Sequence, residues 1–297
     1  MRLGFAGLGA IGQPMAKRLV ANHDLTVWNR TGSVAEGFAA THGVAMASTP
    51  RELAEGSEVL LTCLPSSREV VALPEGSEGL EAGLQPGTLV IDCTSGDPER
   101  SRQIAGRLRE RGAAFVDAPV SGGVVGAEAG TLTAMVGADS DTFDRARTVL
   151  DEFCRTIIHV GPIGAGHALK AVSNAILASN IIAVGEGMTA AVKAGVPAAT
   201  ALEVLNASNS RSFASMELVP QRALTRAWPK TFKLALLDKD VRNALAVIDD
   251  AGLEARLLRT VSTLLNEARV VLGEEADHVE VVKISEAESG VELRSDG

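Results

Sequence analysis

The sequence predicts an α/β chain of two domains. A doubly wound, mostly parallel sheet occupies residues 1–162, a smaller all-helical domain occupies residues 163–285, and one long helix joins them. Three observations carry that prediction. Short apolar runs alternate with helix-like stretches through the first half, the pattern of successive βα units. A glycine-rich turn at residues 7–12 separates the first run from the first helix. Beyond residue 166 the apolar spacing is helical, and strand-like alternation does not return.

At 297 residues the chain is long enough for two domains, each with its own core. Hydrophobic residues at 46% and charged residues at 22% are those of a globular protein. The net charge of −9 argues against nucleic acid and against an anionic membrane surface as partners. A small anion remains possible, because local backbone amides bind one against the global charge. Tyrosine is absent, which excludes any mechanism with a tyrosine acid. Cys63, Cys93 and Cys154 are odd in number and widely spaced, so they read as reduced, buried thiols of a cytoplasmic protein without structural zinc. The first residues read as a strand entering a motif, not as a secretory leader. The apolar run 175–184 is interrupted by Ser179 and Asn180 and reads as buried helix, not as a membrane span.

In chain order, Arg2–Ala6 is a strand and 13–21 a helix. The turn joining them, Gly7-Leu8-Gly9-Ala10-Ile11-Gly12, is G-x-G-x-x-G with a strand before and a helix after. That context identifies a Rossmann-type dinucleotide site. Gly7 permits the turn, Gly9 lets a pyrophosphate near the backbone, and Gly12 lets helix and strand pack closely. The free amides at the helix start face the phosphates. The second strand, Asp24–Trp28, ends in Asn29-Arg30-Thr31. A carboxylate at that point would hold the ribose hydroxyls of NAD. Here Arg30 offers a guanidinium to a 2′-phosphate and to adenine, and Asn29 and Thr31 offer neutral hydrogen bonds. NADP (NADPH) is therefore the expected cofactor, ahead of NAD.

Further strands are expected at 58–63, ending at Leu64-Pro65, at 88–92, ending at Cys93-Thr94-Ser95, and at 113–117, 133–137 and 156–160, with helices at 98–111 and 141–153. Ligands of such sheets sit beyond the carboxyl ends of the strands. That edge collects the loops 7–12, 29–31, 64–65, 93–95 and 119–123. In the last of these, Ser121-Gly122-Gly123 after a strand reads two ways: as an ordinary glycine turn, or as a cradle of amides plus one hydroxyl for a carboxylate.

The long helix is predicted over 166–194, about 40 Å at about 1.5 Å per residue. It is apolar nearly all round, as a helix buried between domains or subunits is. Lys170 and Asn174, four apart, share one face near its start. Either Lys170 snorkels and Asn174 satisfies a backbone group, or both project into a cleft between the domains. More helices are expected over 198–206, 216–223, 232–251 and 253–272, with a polar loop at 206–213 and an acidic, aperiodic, mobile tail at 286–297.

Together these motifs resemble the β-hydroxyacid dehydrogenase family, relatives of 3-hydroxyisobutyrate dehydrogenase and of tartronate semialdehyde and glyoxylate/succinic semialdehyde reductases. The likeness spans residues 1–285. It rests on FAGLGAIGQPMAKRL, on VWNRT, on Asp92-Cys93-Thr94-Ser95, on DAPVSGG, on Gly164-x-Gly166-x-x-x-Lys170-x-x-x-Asn174 and on Lys239-Asp240. Ile11 stands where methionine is common, and the two hydroxyl residues after Asp92 are exchanged. The resemblance implies Lys170 as general acid/base, Asn174 with Ser121, Gly122 and Gly123 on a small carboxylate substrate, and Ser95 and Lys239 beside the nicotinamide. It also implies a homodimer or homotetramer.

The chemistry expected is hydride transfer between NADP(H) and a β-hydroxyacid or semialdehyde acid. Partial burial would bring the lysine down from its free value of about 10.4 toward working pH. Alternatives are an imine reductase, which usually lacks this lysine, a 6-phosphogluconate-type enzyme, which has a longer helical region, and a catalytically silent NADP-binding protein.

Overall fold

The structure is a computed structural model that describes residues 1–73 and 76–295. The chain divides into two compact units, Met1–Lys170 and Ala171–Gly297.

Among the described residues the first unit holds nine strands. They are β1 (Arg2–Ala6), β2 (Asp24–Trp28), β3 (Ala45–Met46), β4 (Val59–Thr62), β5 (Leu89–Asp92), β6 (Ala114–Asp117), β7 (Val120–Ser121), β8 (Leu132–Gly137) and β9 (Cys154–Gly161). Strands β1 to β6 lie in the order 3-2-1-4-5-6, every pair parallel. That order belongs to the dinucleotide-binding doubly wound sheet. It reverses between β1 and β4, so the loops after those two strands flank the crevice. β8 extends the sheet antiparallel to β6 and β7 and parallel to β9.

Both faces of the sheet are covered, and residue parity shows it. Leu60, Val90 and Phe115 stand in register in one core, while Leu61, Ile91 and Val116 stand in register in another. Side chains alternate across a strand, so central strands buried on both sides carry continuous apolar runs.

The helices of this unit are α1 (Gly12–Leu19), α2 (Gly32–His42), α3 (Pro50–Glu55), α4 (Ser67–Ala72), α5 (Leu80–Gly83), α6 (Pro98–Glu110), α7 (Gly123–Ala129) and α8 (Ser140–Leu150). The sequence reading passes from β2 straight to β4 and so omits α2, β3 and α3. β3 is two exposed residues on the sheet edge, too short to show a period.

The long helix α9 (Ala165–Lys193) runs across the division at Lys170/Ala171. On length and composition alone it is apolar enough to cross a membrane. The side carrying Ala171, Ala175, Ala178 and Ile182 packs into the core of the second unit, the use such a helix has in a globular domain. Burial all round does not follow: Leu169 and Ile176 are exposed.

The second unit continues with α10 (Ala198–Ala207), α11 (Leu234–Asp250), α12 (Arg256–Leu272) and α13 (Val282–Ser289). Two differences from expectation have physical causes. The helix expected over 216–223 is two π-helical turns, Ala214–Leu218 and Pro220–Leu224, because Pro220 removes an amide from the ladder. The expected mobile tail is packed as far as it is described. Leu293 is fully buried, its amide donates to Glu286 Oε1 at 2.7 Å, and Glu286 pairs with Arg226 at 2.5 Å. One leucine among acidic residues suffices to dock the segment, and it has no periodicity to announce it.

Candidate active site

At the end of β1 the glycine turn has the geometry its spacing implies. Gly7 has φ +104°, and a Cβ there would stand 2.3 Å from the Cys63 carbonyl oxygen. Gly9 and Ala10 are exposed, and a Cβ on Gly9 would meet nothing within 4 Å. This open strip of backbone leads into α1, whose N-cap Ile11 makes no side-chain cap bond. Gln13 N already donates to the Gly9 carbonyl at 3.0 Å and Pro14 has no amide N–H, so it is the exposed backbone at Gly9 and Ala10 that a phosphate can approach, and the cradle fits a dinucleotide. Asn29 differs from expectation. Its Oδ1 accepts from Leu8 N at 3.0 Å and its Nδ2 donates to the Thr31 carbonyl at 3.1 Å, so it braces the turn against the end of β2. Arg30 and Thr31 are exposed.

Asp92, at the end of β5, joins the neighbouring loops. Its Oδ1 accepts from Thr62 Oγ1 at 2.7 Å and from Thr94 N at 3.1 Å. Thr94 Oγ1 in turn accepts from Leu64 N at 3.1 Å. The residues before Pro65 and Ser95 are thereby held in one strand-end network. Its members include Cys63 and Cys93 as neighbours, both free. Burial, reinforced by the Asp92 charge, pushes the Cys63 thiol up to about 12, which keeps it a thiol at neutral pH.

Ser121 ends β7, and Gly122 and Gly123 follow with φ +130° and +63°. Both glycines are exposed. β7 pairs with β8 through Val120↔Ala134 and Ser121↔Thr133, which fixes the loop at the same sheet end.

The turn carrying the lysine is built from below. Asp117, the last residue of β6, is fully buried. Its Oδ1 accepts from Gly164 N at 2.7 Å and its Oδ2 from His167 N at 2.9 Å, which ties down two amides at the start of α9. Burial pushes its carboxyl above the usual range, opposed by His167 and by these two amides. A Cβ on Gly166 would stand 2.3 Å from the Met135 carbonyl oxygen, so the helix starts flush against the sheet only with glycine there. Lys170, one turn later, is buried.

In the second unit, buried Asn174 donates through Nδ2 to Asp240 Oδ2 at 2.6 Å, and Lys239 Nζ lies 3.1 Å from Asp240 Oδ1. Asp240 therefore joins two residues that the sequence reading assigns separate roles. Asp277 anchors the start of α11. It accepts from Thr231 N at 3.0 Å and Phe232 N at 3.3 Å, and it pairs with Arg222 at 2.5 Å. Sequence reasoning missed His167, the capping role of Asp117 and the hub at Asp277. Only the Gly164-x-Gly166 spacing hinted at a constrained helix start.

A 3-2-1-4-5-6 parallel sheet with an open glycine cradle at its switch point, followed by a helical unit, defines a nicotinamide-dinucleotide oxidoreductase. Comparison with known proteins narrows the class. Residues 2–161 match the NAD binding domain of 6-phosphogluconate dehydrogenase, and residues 164–285 match the NAD-binding domain of NADP-dependent 3-hydroxyisobutyrate dehydrogenase. The chain is 37% identical over 240 residues to NAD-dependent L-serine dehydrogenase of Pseudomonas aeruginosa, covering 80% of this chain and 78% of that one. It is 32% identical over 300 residues to 2-(hydroxymethyl)glutarate dehydrogenase of Eubacterium barkeri, covering 99% and 97%. A solved 3-hydroxyisobutyrate dehydrogenase of Mycobacterium tuberculosis with L-serine superposes with a TM-score of 0.85 at 30% identity, covering 95% of this chain and 98% of that one. An imine reductase of Myxococcus stipitatus shares the fold, with a TM-score of 0.65 at 18% identity, over 96% of this chain and 98% of that one. The chain belongs to the NAD(P)-dependent β-hydroxyacid dehydrogenase family.

Proposed function

We propose that the chain oxidises a small β-hydroxyacid, or reduces the matching semialdehyde acid, with NADP(H) preferred and Lys170 as general acid/base. One observation carries this reading: Lys170 is buried one turn after a helix start that Asp117 caps from the strand end. Lysine is rarely buried, and here it lies one helical turn before Asn174, which Asp240 orients.

A bound nicotinamide would take up or supply the hydride. In oxidation, the neutral Lys170 amine accepts the hydroxyl proton as the carbonyl forms. In reduction, the ammonium returns that proton to the developing alkoxide. Gly7, Leu8, Gly9, Ala10, Ile11 and Gly12 hold the pyrophosphate side, and Leu64, Pro65, Ser95 and Lys239 serve the nicotinamide side. Ser121, Gly122 and Gly123 present exposed amides and a hydroxyl to a substrate carboxylate. Asn174 supplies the remaining contact.

The preference for NADP rests on Arg30, which is exposed at the end of β2 where no carboxylate stands. The substrate class rests on the chemistry shared by relatives named for L-serine, 2-(hydroxymethyl)glutarate and 3-hydroxyisobutyrate, each a carboxylate with a hydroxyl on the β carbon. Free Cys63, Cys93 and Cys154 support a cytoplasmic setting. Exposed Leu169 and Ile176, seven residues apart on α9, support a homo-oligomer.

The test is a panel of L-serine, 3-hydroxyisobutyrate, tartronate semialdehyde, succinic semialdehyde and cyclic imines, followed by NADPH absorbance with NADH in parallel. Lys170→Ala should lose at least about 10²-fold in kcat while still binding NADPH. Wild-type turnover in that variant sinks the lysine assignment, and turnover of imines alone favours the imine reductase reading.

A further inference from the structure

Under the first turn of α9 lies a polar cluster that none of these roles uses. His167 is fully buried. Its Nδ1 stands 2.6 Å from Ser101 Oγ on α6. Ser101 Oγ itself donates to the Asp97 carbonyl at 3.0 Å, so its lone pair is what faces the imidazole, and His167 Nδ1–H donates. The other nitrogen, Nε2, has no hydrogen-bond partner among the described residues and faces Asp92 Oδ2 at 3.8 Å. A Cβ on Gly96 would come within 2.7 Å of His167 Cε1, which puts the ring against the backbone next to Ser95.

These contacts tie the lysine turn to the loops of the cofactor edge. Asp92 holds Thr62 and Thr94, and Thr94 holds Leu64. His167 reaches that network through its side chain and hangs on Asp117 through its backbone amide. Lys170 is three positions after His167, so both occupy one side of the helix. A helix that rolls or slides to relieve a change at His167 carries the lysine with it. Ser101 and His167 are both buried, so losing one partner leaves the other's polar atom unsatisfied, and that cost holds the ring in this seat.

We propose that His167 is a positioning residue for Lys170: bonded to Ser101 and seated against Asp92 and Gly96, it sets the register of the lysine-bearing turn against the loops ending at Leu64 and Ser95. This rests on the acid/base reading of Lys170. The competing account is a polar side chain that merely fills the core, and the two differ in what they predict for kcat at constant cofactor binding.

The experiment compares wild type, His167→Leu, His167→Asn, Ser101→Ala and Lys170→Ala, using the best carbonyl acid of the panel. NADPH Kd is read from nucleotide fluorescence, and Tm is measured alongside. His167→Leu keeps a similar volume and loses the bond to Ser101. Its kcat should fall about 10²-fold, as a displacement of about 1 Å does, with NADPH Kd changed by less than about threefold. Asparagine places an N–H near the position of Nδ1, so His167→Asn should recover at least about tenfold of the lost kcat. Should His167→Leu fail to fold, Ser101→Ala removes the acceptor of the same bond from α6 and should lower kcat about tenfold at unchanged Kd. A kcat within about threefold of wild type in the variant that folds overturns the proposal. So does a fall of kcat and Tm together with a rise in NADPH Kd that asparagine does not rescue. If Lys170→Ala is active, the acid/base reading has failed; if it is inactive while His167→Leu is active, only the positioning role has failed.

Discussion

Gly166→Ala isolates the closest packing in the molecule that bears on Lys170. The added Cβ would sit 2.3 Å from the Met135 carbonyl oxygen, 2.8 Å from the Asp117 carbonyl oxygen and 2.9 Å from Asp117 Oδ2. The first distance is roughly 1 Å inside van der Waals contact. All three obstacles are strand-end backbone or a buried cap, so the start of α9 must lift away from the sheet. Overpacking of this kind costs about 1–3 kcal/mol. The shift also lengthens the Asp117 bonds to Gly164 N and His167 N, a cap worth about 0.5–2 kcal/mol. Together these come to about 1.5–5 kcal/mol, a fall in Tm of roughly 3–20 °C for a unit of this size. Lys170, one turn on, moves by a similar distance, so kcat should drop about 10- to 100-fold. Differential scanning calorimetry and steady-state kinetics on the purified variant check both numbers. A Tm within about 2 °C and a kcat within about twofold of wild type would show that the helix start does not bear on the sheet as described.

Gly9→Ala makes the complementary case: nothing lies within 4 Å of its Cβ position, so the Tm of the free protein should hold while NADPH Kd rises at least about tenfold; unchanged Kd in a fluorescence titration counts against the cradle. Leu293→Ala removes a fully buried side chain from the C-terminal segment and should destabilise by about 2–5 kcal/mol, read from denaturant midpoints, whereas a mobile tail would show no change. Asp277→Asn tests the anchor of α11. Burial alone would raise that carboxyl, but His278, the Val279 amide and Arg222 outweigh it and hold it below the usual carboxylate range. A carboxyl depressed in the folded state stabilises above its unfolded value of about 3.9 and loses that contribution as pH falls below it. The variant should therefore be less stable than wild type by about 3–5 kcal/mol at pH 6–7, where Arg222 is left unpaired, and the two should converge as pH falls toward 2; parallel stability curves across that range would refute the pairing.

Much of the fold was legible because its signals are local. The runs Arg2–Ala6 and Asp24–Trp28 are strands with the predicted bounds, since an apolar run between turn residues has few other uses. The long helix was legible within one residue at each end. Elements that failed to announce themselves are short or distort the ladder, such as β3 with two exposed residues and the π-helical turns around Pro220.

For the site, the sequence by itself determined which chemistry is available. The glycine spacing, the uncharged end of β2 apart from Arg30, and a lysine and asparagine four apart on a helix are all properties of neighbours in the chain. Tertiary structure decided what those residues are free to do. Asp117 binds the amide of Gly164, 47 residues later at the entry to α9, and Asp240 orients an asparagine 66 residues earlier. Asn29 accepts through Oδ1 from the amide of Leu8, 21 residues back, so the turn fixes the orientation of its side chain. Ser101 meets His167 across 66 residues. No periodicity encodes such pairs, because each depends on where two separately folded backbones come to rest, and a buried polar group takes whichever partner that packing leaves within about 3 Å.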